Sequence, residues 1–294
     1  MPELPDVHVY VEALDRHLTG ARLDDVRLRS PFLLRSIEPP LSELAGRTVV
    51  GFSRLGKRIV FQFESDLALV LHLMIAGRLR WRAAGAGMPG KIGLAAFDFD
   101  RGTLVLTEAG TRKRASLYAV RGSQALAAHD PGGIDPIQSD LDSFRRRLLD
   151  GNHTVKRALT DPRKFSGIGN AYSDEILHRA GVSPVRLTDA LTESEIAALH
   201  TSTRDVLLEW IRRLRDDVGD GFPEKVTAFR PGMAVHGRFG EPCPVCDSPV
   251  QRIVYRDRET NYCATCQTGG KLLADRALSR LLKKDWPRTL EEME

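Results

Sequence analysis

Nowhere in its 294 residues does the chain carry an apolar run long enough to cross a bilayer, and it holds only four cysteines. The first absence excludes a membrane-spanning helix. The second argues against a disulfide framework. The cysteines fall in two close pairs near the C-terminus, the pattern of a metal site in a reducing compartment. The N-terminus bears acids and prolines, unlike a signal or transit peptide. Long repeats and low-complexity tracts are also missing. What is present is 42% hydrophobic residues, enough for real cores, in a length that suits two domains. The net charge of +4 permits a polyanionic partner without requiring one.

Val7, Tyr10, Val11, Leu14 and Leu18 recur at helical spacing and predict an amphipathic helix leading from the N-terminus. From about residue 22 to 120, short runs rich in Val, Leu and Phe alternate with turn residues. Residues 48–52, 58–64, 68–73, 94–99 and 103–106 read as strands of a sandwich or barrel. Asp130-Pro131-Gly132-Gly133 and Asp135-Pro136 punctuate a linker. Helical patterns follow at 141–149, 155–159, 171–179 and 193–214, then a hairpin-sized segment with the cysteines, and a charged helical stretch at 271–284. The expected fold class is α+β: a β-rich N-terminal domain, then a helical domain with a metal-bound appendage.

The chain begins Met1-Pro2-Glu3-Leu4-Pro5. Methionine is removed efficiently before a small residue, and that removal would leave Pro2 with a secondary amine. A free α-amine has a pKa of about 8, so a useful fraction is unprotonated at neutral pH and can attack carbon to form an iminium. The plainer reading is a proline suited to a helix's first turn, with Glu3 favouring the helix dipole.

Cys243-Pro244-Val245-Cys246 and Cys263-Ala264-Thr265-Cys266 are two Cys-x-x-Cys pairs with sixteen residues between them. Each supplies two thiolates from one tight turn, together a tetrahedral site for one Zn2+. Four cysteines leave no open position for substrate, so the ion is structural. Between the pairs, Val250, Ile253, Val254 and Tyr255 and then Arg256-Asp257-Arg258-Glu259 suit a hairpin with arginines at its tip. Phe165-Ser166-Gly167-Ile168-Gly169-Asn170-Ala171-Tyr172 opens a helix with two glycines, which allow close approach to an anion or merely a tight helix–helix turn.

Together these pieces resemble the formamidopyrimidine-DNA glycosylase/endonuclease VIII family, in the family's order over about residues 1–267. The match is carried by Pro2-Glu3-Leu4-Pro5-Asp6, Gly56-Lys57, His72-Leu73, 167–175 (Gly-Ile-Gly-Asn-Ala-Tyr-Ser-Asp-Glu), and 235–243 leading into the finger. The resemblance implies a catalytic β-sandwich at 1–134, a helix–two-turn–helix domain at 135–235, a zinc finger at 236–269 and a charged extension at 270–294. It implies a bifunctional DNA glycosylase/AP lyase of base excision repair, acting as a monomer on double-stranded DNA with a damaged base or abasic site. A bacterial cytoplasmic, nucleoid-associated location fits that partner. Pro2 is then the nucleophile at C1′, and Glu3 the acid that manages protons at the opened sugar. Lys57, His72, Lys156, Asn170 and Arg258 grip phosphates while the damaged nucleotide is flipped into the cleft between the domains. Taken singly, Lys57 reads as a surface lysine, His72 as a core histidine and Lys156 as part of a solvated helix face.

The sequence also departs from the family. Asp6 stands where the family has glutamate. After His72-Leu73 comes Met74-Ile75-Ala76-Gly77 in place of Gly-Met-Ser-Gly. Ile75 is therefore the positional candidate to fill the gap left by the flipped base, with the longer Met74 as alternative. The loop that probes the opposite strand has no aromatic wedge; Glu108-Ala109-Gly110-Thr111-Arg112-Lys113-Arg114 offers Arg112 or Arg114 instead. Residues 219–231 do not match the family's damaged-base loop. Two rival readings follow: a non-catalytic zinc-finger protein that recognises damaged or abasic DNA, and a glycosylase for bulky or cross-linked adducts.

Overall fold

In the computed structural model the described residues are 1–224, 226–227, 229–255, 258–275, 280–281 and 287–293. The chain divides into two units: Met1–Pro131 with Trp210–Thr227, and Gly132–Glu209 with Ala228–Glu294.

The first unit opens with helix α1 (Leu4–Leu18), started by Pro5 in its first turn. Eight strands follow: β1 (Leu23–Leu28), β2 (Val49–Leu55), β3 (Arg58–Phe63), β4 (Leu67–His72), β5 (Gly77–Arg82), β6 (Gly93–Phe99), β7 (Gly102–Glu108) and β8 (Ser116–Arg121). They form two antiparallel four-stranded sheets, ordered β1-β6-β7-β5 and β2-β3-β4-β8. Val7, Tyr10, Leu14 and Leu18 of α1 join Ile59, Phe61, Leu69 and Leu71 of one sheet and Leu79, Phe97, Leu104 and Leu106 of the other in a single core. The Tyr10 hydroxyl accepts the Leu79 N–H inside that core. On the opposite face of β3 and β4, Val60, Ala68 and Val70 meet Val120 of β8 and Leu126 of helix α2 (Gly122–Ala127). Both faces of β4 are thus covered, which explains why its sequence is an unbroken apolar run and not an alternation.

The expected sandwich is present, with three strands beyond those expected. β1 and β8 carry charged and polar residues at their outer positions, and β5 (Gly-Arg-Leu-Arg-Trp-Arg) alternates arginine with apolar residues. None of the three has a dense Val/Leu/Phe run, the signal that marked the others.

In the second unit, α3 (Leu141–Leu148) is capped by Asp140, whose Oδ1 accepts the Ser143 N–H at 2.7 Å. The buried Lys164 ammonium closes its far end by donating to the Arg147 and Asp150 carbonyls. Then come α4 (Val155–Thr160), α5 (Asn170–Arg179) and α6 (Glu193–Val218), whose residues from Trp210 on belong to the first unit. The hairpin of β9 (Val250–Tyr255) and β10 (Arg258–Cys263) leads into the short α7 (Ala264–Thr268).

One expectation fails here. Lys271 bridges Thr289, Leu272 N–H donates to the Arg288 carbonyl, and 272–275 are irregular, so no helix begins at 271. Gly269 in the left-handed region ends α7 at that point, and neighbouring groups hold the chain extended. Arg280 and Leu281 are helical, while 276–279 and 282–286 lie outside the described residues.

Candidate active site and nucleic-acid interface

Pro2 and Glu3 are buried just ahead of α1. Glu3 is the N-cap, and its N–H donates to Asp6 Oδ2 at 2.9 Å. The Asp6 carboxylate thus acts locally, fixing the direction in which the head of the chain leaves the helix. Burial lowers the pKa of the Met1 amine, one residue ahead of Pro2. Glu3 and Asp6 act to raise it, and Arg78 and Lys57 to lower it. Charged groups from α1, the β2–β3 turn and β5 therefore act together on the head of the chain.

Lys57 sits in the β2–β3 turn after Gly56, whose φ of +61° suits glycine. His72 ends β4, opposite Arg58 on one side and Ser116 on the other. Burial, reinforced by the charges of Arg58 and Lys57, pushes its pKa down to about 4. His72 is neutral at neutral pH and can offer one N–H. It is neither the enclosed core residue of the plain reading nor a cationic phosphate grip.

The turn between β4 and β5 is tight. Gly77 N–H donates to the Leu73 carbonyl at 2.9 Å, and a Cβ at Gly77 would lie 2.2 Å from that oxygen. The turn leaves Ile75 52% exposed while Met74 is half-buried, so Ile75 is the residue presented outward. At the end of β7, the buried Glu108 carboxylate accepts the Arg114 N–H at 2.9 Å and the Ala115 N–H at 3.2 Å, and its carbonyl accepts from Lys113. One buried acid closes the base of a loop that displays Arg112 and Arg114 to solvent.

The segment after α6 is a strap tied to β5. Phe222 packs its ring against Tyr10 and His17. Glu224 ion-pairs with Arg82 and, at 3.7 Å, with Arg80. The Val226 carbonyl accepts from Arg78 Nε at 2.5 Å, and its side chain joins the core. Lys225 lies outside the described residues.

In the second unit Lys156 is not on a solvated face. Its ammonium pairs with the wholly buried Asp174 and donates to the Asn170 carbonyl at 3.2 Å. Asp174 Oδ2 also meets His236 Nδ1 at 2.8 Å. The adjacent Glu175 accepts the N–H groups of Ala234, Val235 and His236 at 2.7–2.9 Å. Burial raises the Glu175 pKa, against the pull of those three amides. The Asn170 side-chain amide donates to the Glu259 carbonyl at 2.8 Å, which fixes α5 to the hairpin. The Arg258 backbone lies in β10, but its side chain, like Arg256 and Asp257, lies outside the described residues.

Cys243, Cys246, Cys263 and Cys266 bring their sulfurs within 4.8 Å of one another, the one such donor group among the described residues. Three separations are 3.4, 3.5 and 4.0 Å. A tetrahedral ion at about 2.3 Å from each sulfur would place them about 3.8 Å apart, far from the roughly 2.05 Å of a disulfide. The four residues fit zinc. His178 Nε2 lies 3.3 Å from the Cys243 sulfur, an outer contact that orients it.

Sequence reasoning did not single out Arg78, Glu108, Asp174, Glu175, Glu224 or His236 for these roles. Only Arg78 had a local signal, the Arg78-Arg80-Arg82 alternation. Glu108 acts on the loop that directly follows it, and the others act through partners distant in sequence.

Comparison with known proteins agrees with this arrangement. Residues 1–117 match the formamidopyrimidine-DNA glycosylase N-terminal domain, 133–219 the H2TH domain of that enzyme, and 240–269 the zinc finger found in FPG and IleRS. The formamidopyrimidine-DNA glycosylase of Desulforamulus reducens is 31% identical, with 91% of this chain and 99% of the relative covered. An uncharacterized formamidopyrimidine-DNA glycosylase-like protein of Mycobacterium tuberculosis is 42% identical over 51% of this chain and 94% of its own length. Among solved structures, a complex of the Lactococcus lactis Fpg with abasic-site DNA superposes with a TM-score of 0.81 at 28% identity, covering 90% of this chain and 99% of that one. The same enzyme bound to DNA containing an oxidised pyrimidine gives 0.79 at 28% identity, covering 91% and 100%. Sandwich, helical module and four-cysteine finger define a DNA glycosylase of the zinc-finger type. The chain belongs to the formamidopyrimidine-DNA glycosylase family.

Proposed function

We propose that this chain excises oxidised bases from double-stranded DNA and cleaves the resulting abasic site, with the Pro2 amine as nucleophile. The observation that carries the assignment is the buried head of the chain, on which Glu3, Asp6, Arg78 and Lys57 act together. Burial and the two cations favour the unprotonated form of the Met1 amine one residue ahead. The Pro2 amine exposed by removal of Met1 takes its place at that buried head, the unprotonated form being the one that attacks.

Once Met1 is removed, the Pro2 nitrogen bonds to C1′ and the glycosidic bond breaks, its electrons leaving with the base. Glu3 protonates the sugar ring oxygen as the ring opens to the iminium. The iminium acidifies the C2′ proton. Its removal expels the 3′ phosphate, and a second elimination expels the 5′ phosphate. Lys57 and the neutral His72 hold phosphates by hydrogen bonds in the first unit; Lys156, Asn170 and Arg258 do so in the second. Ile75 fills the space of the flipped nucleotide, and Arg112 or Arg114 meets the opposite strand.

Oxidised purines and pyrimidines both qualify as substrates, since complexes of the Lactococcus relative include a mutant bound to DNA with Fapy-dG and the wild type bound to DNA with an oxidised pyrimidine. The finger holds one structural Zn2+, because four thiolates fill its coordination. The protein acts as a monomer in the bacterial cytoplasm, on the nucleoid. Functional boundaries follow the sequence at 1–134, 135–235, 236–269 and 270–294.

The test is borohydride trapping on a duplex with one abasic site, comparing free Pro2 with a form carrying one extra N-terminal residue. A covalent adduct from the free form alone supports the assignment. DNA binding with no adduct from either form would make the chain a recognition protein.

A further inference from the structure

Arg78, which lies outside the motifs that carry the family resemblance, joins several elements near the head of the chain. Its Nε donates to the Val226 carbonyl of the strap at 2.5 Å. Its Nη1 donates to the carbonyls of Gly77 at 2.6 Å and Ile75 at 3.2 Å, both in the β4–β5 turn. Its backbone carbonyl accepts from the Thr107 hydroxyl at 3.3 Å, one residue before Glu108 closes the arginine loop. With Lys57 it is one of two cations that lower the pKa of the Met1 amine, one residue ahead of Pro2.

We propose that Arg78 is a positioning residue that ties the Ile75 turn to the strap at Val226 beside the head of the chain, so that one guanidinium sets both the fit of the displaced nucleotide and the surroundings of the nucleophile. The proposal rests on the Pro2 reading above. A guanidinium suits this role because its rigid fork serves several carbonyls at once, whereas a lysine provides charge from a flexible point. With Nε and Nη1 engaged by backbone carbonyls, its position is fixed before DNA arrives. Glu224, held by Arg80 and Arg82, keeps the strap in register for the Val226 contact.

The two roles separate by substitution. Arg78→Lys keeps the cation and loses the fork; Arg78→Gln loses the charge. The other groups whose charges act at the head of the chain, Glu3 at the N-cap, Asp6 in α1 and Lys57 in the β2–β3 turn, stay unchanged. The measurement is the pH dependence of borohydride trapping at an abasic site, with KM and kcat on a duplex holding one oxidised base. Circular dichroism checks that each variant is folded. Arg78→Gln is expected to raise the trapping midpoint by about half to one pH unit, since removing a nearby cation favours the ammonium. Arg78→Lys is expected to leave the midpoint in place and raise KM about tenfold, with kcat changed less.

An unmoved midpoint in folded Arg78→Gln, or an unchanged KM in Arg78→Lys, would overturn the inference. Should Arg78→Gln fail to fold, Arg78→Lys and Glu224→Gln decide the matter. Glu224→Gln loosens the strap and is expected to raise KM several-fold with an unmoved midpoint; no change in KM in either variant sinks the coupling. If the wild type itself gives no adduct, the Pro2 assignment fails first, an outcome distinct from all of these.

Discussion

Lys156 is ion-paired with Asp174, a carboxylate that solvent does not reach. A lysine that its sequence neighbourhood presents as an exposed helix charge is thus fixed by a residue eighteen positions later, in the helix that begins at the glycine loop. The same carboxylate holds His236 just ahead of the zinc finger.

Asp174→Asn should therefore cost more than a surface substitution. The pair loses its buried anion while the mostly covered Lys156 keeps its charge, a change worth about 3 kcal/mol. Urea unfolding would measure it. A loss below about 1 kcal/mol would mean that solvent already screens the pair.

The Gly77 turn predicts a steric effect with a built-in control. Gly77→Ala places a methyl group 2.2 Å from the Leu73 carbonyl and must open the turn that presents Ile75. Gly87→Ala meets nothing within 4 Å. The first should lower stability by about 1–3 kcal/mol and weaken binding to abasic DNA; the second should do neither. Equal melting temperatures and affinities for the two variants would contradict this.

His72 supplies a pH dependence. Its folded pKa of about 4 lies below its ordinary value of 6.5, so the unfolded chain takes up the proton first. The contribution is fully present above pH 6.5, falls as the pH drops, and is lost by pH 4. Its size is up to about 3 kcal/mol. His72→Gln should flatten the fall in urea midpoint between pH 6.5 and 4. A wild-type slope retained in the variant would assign the effect to other groups.

Zinc removal should act on the finger first. Titrating the thiols with a mercurial while a colorimetric chelator reports released metal should yield one zinc per chain. Release should be accompanied by loss of DNA binding, and Cys263→Ser should reproduce that loss. A metal-free protein that binds DNA normally would refute a structural role.

The sequence exposed those parts of the molecule whose signal is local. α1, the apolar strands and the helices α3 to α6 follow from periodicity, and the four cysteines declare themselves by spacing. The strand β5 escaped because its apolar residues Leu79 and Trp81 are outnumbered by arginines whose partners lie about 150 residues away at Glu224 and Val226. Asp174 and Glu175 were visible only as motif letters. Their work, one holding Lys156 and His236 and the other three backbone amides, depends on chain brought close by folding. His72 was hidden for the same reason: the charges of Arg58 and Lys57 that bear on it come from the neighbouring strand and its turn.

The chain just beyond the finger covers part of the edge of that small hairpin. Val254 N–H on the outer strand donates to Asp275 Oδ2 at 2.8 Å, and the Tyr262 hydroxyl accepts from Leu273 N–H at 2.8 Å. A two-stranded ribbon has no interior strand, so each unpaired backbone group is an invitation to a stray chain. By occupying one of those groups with its own aspartate, the protein closes that position of the ribbon's edge to any other chain.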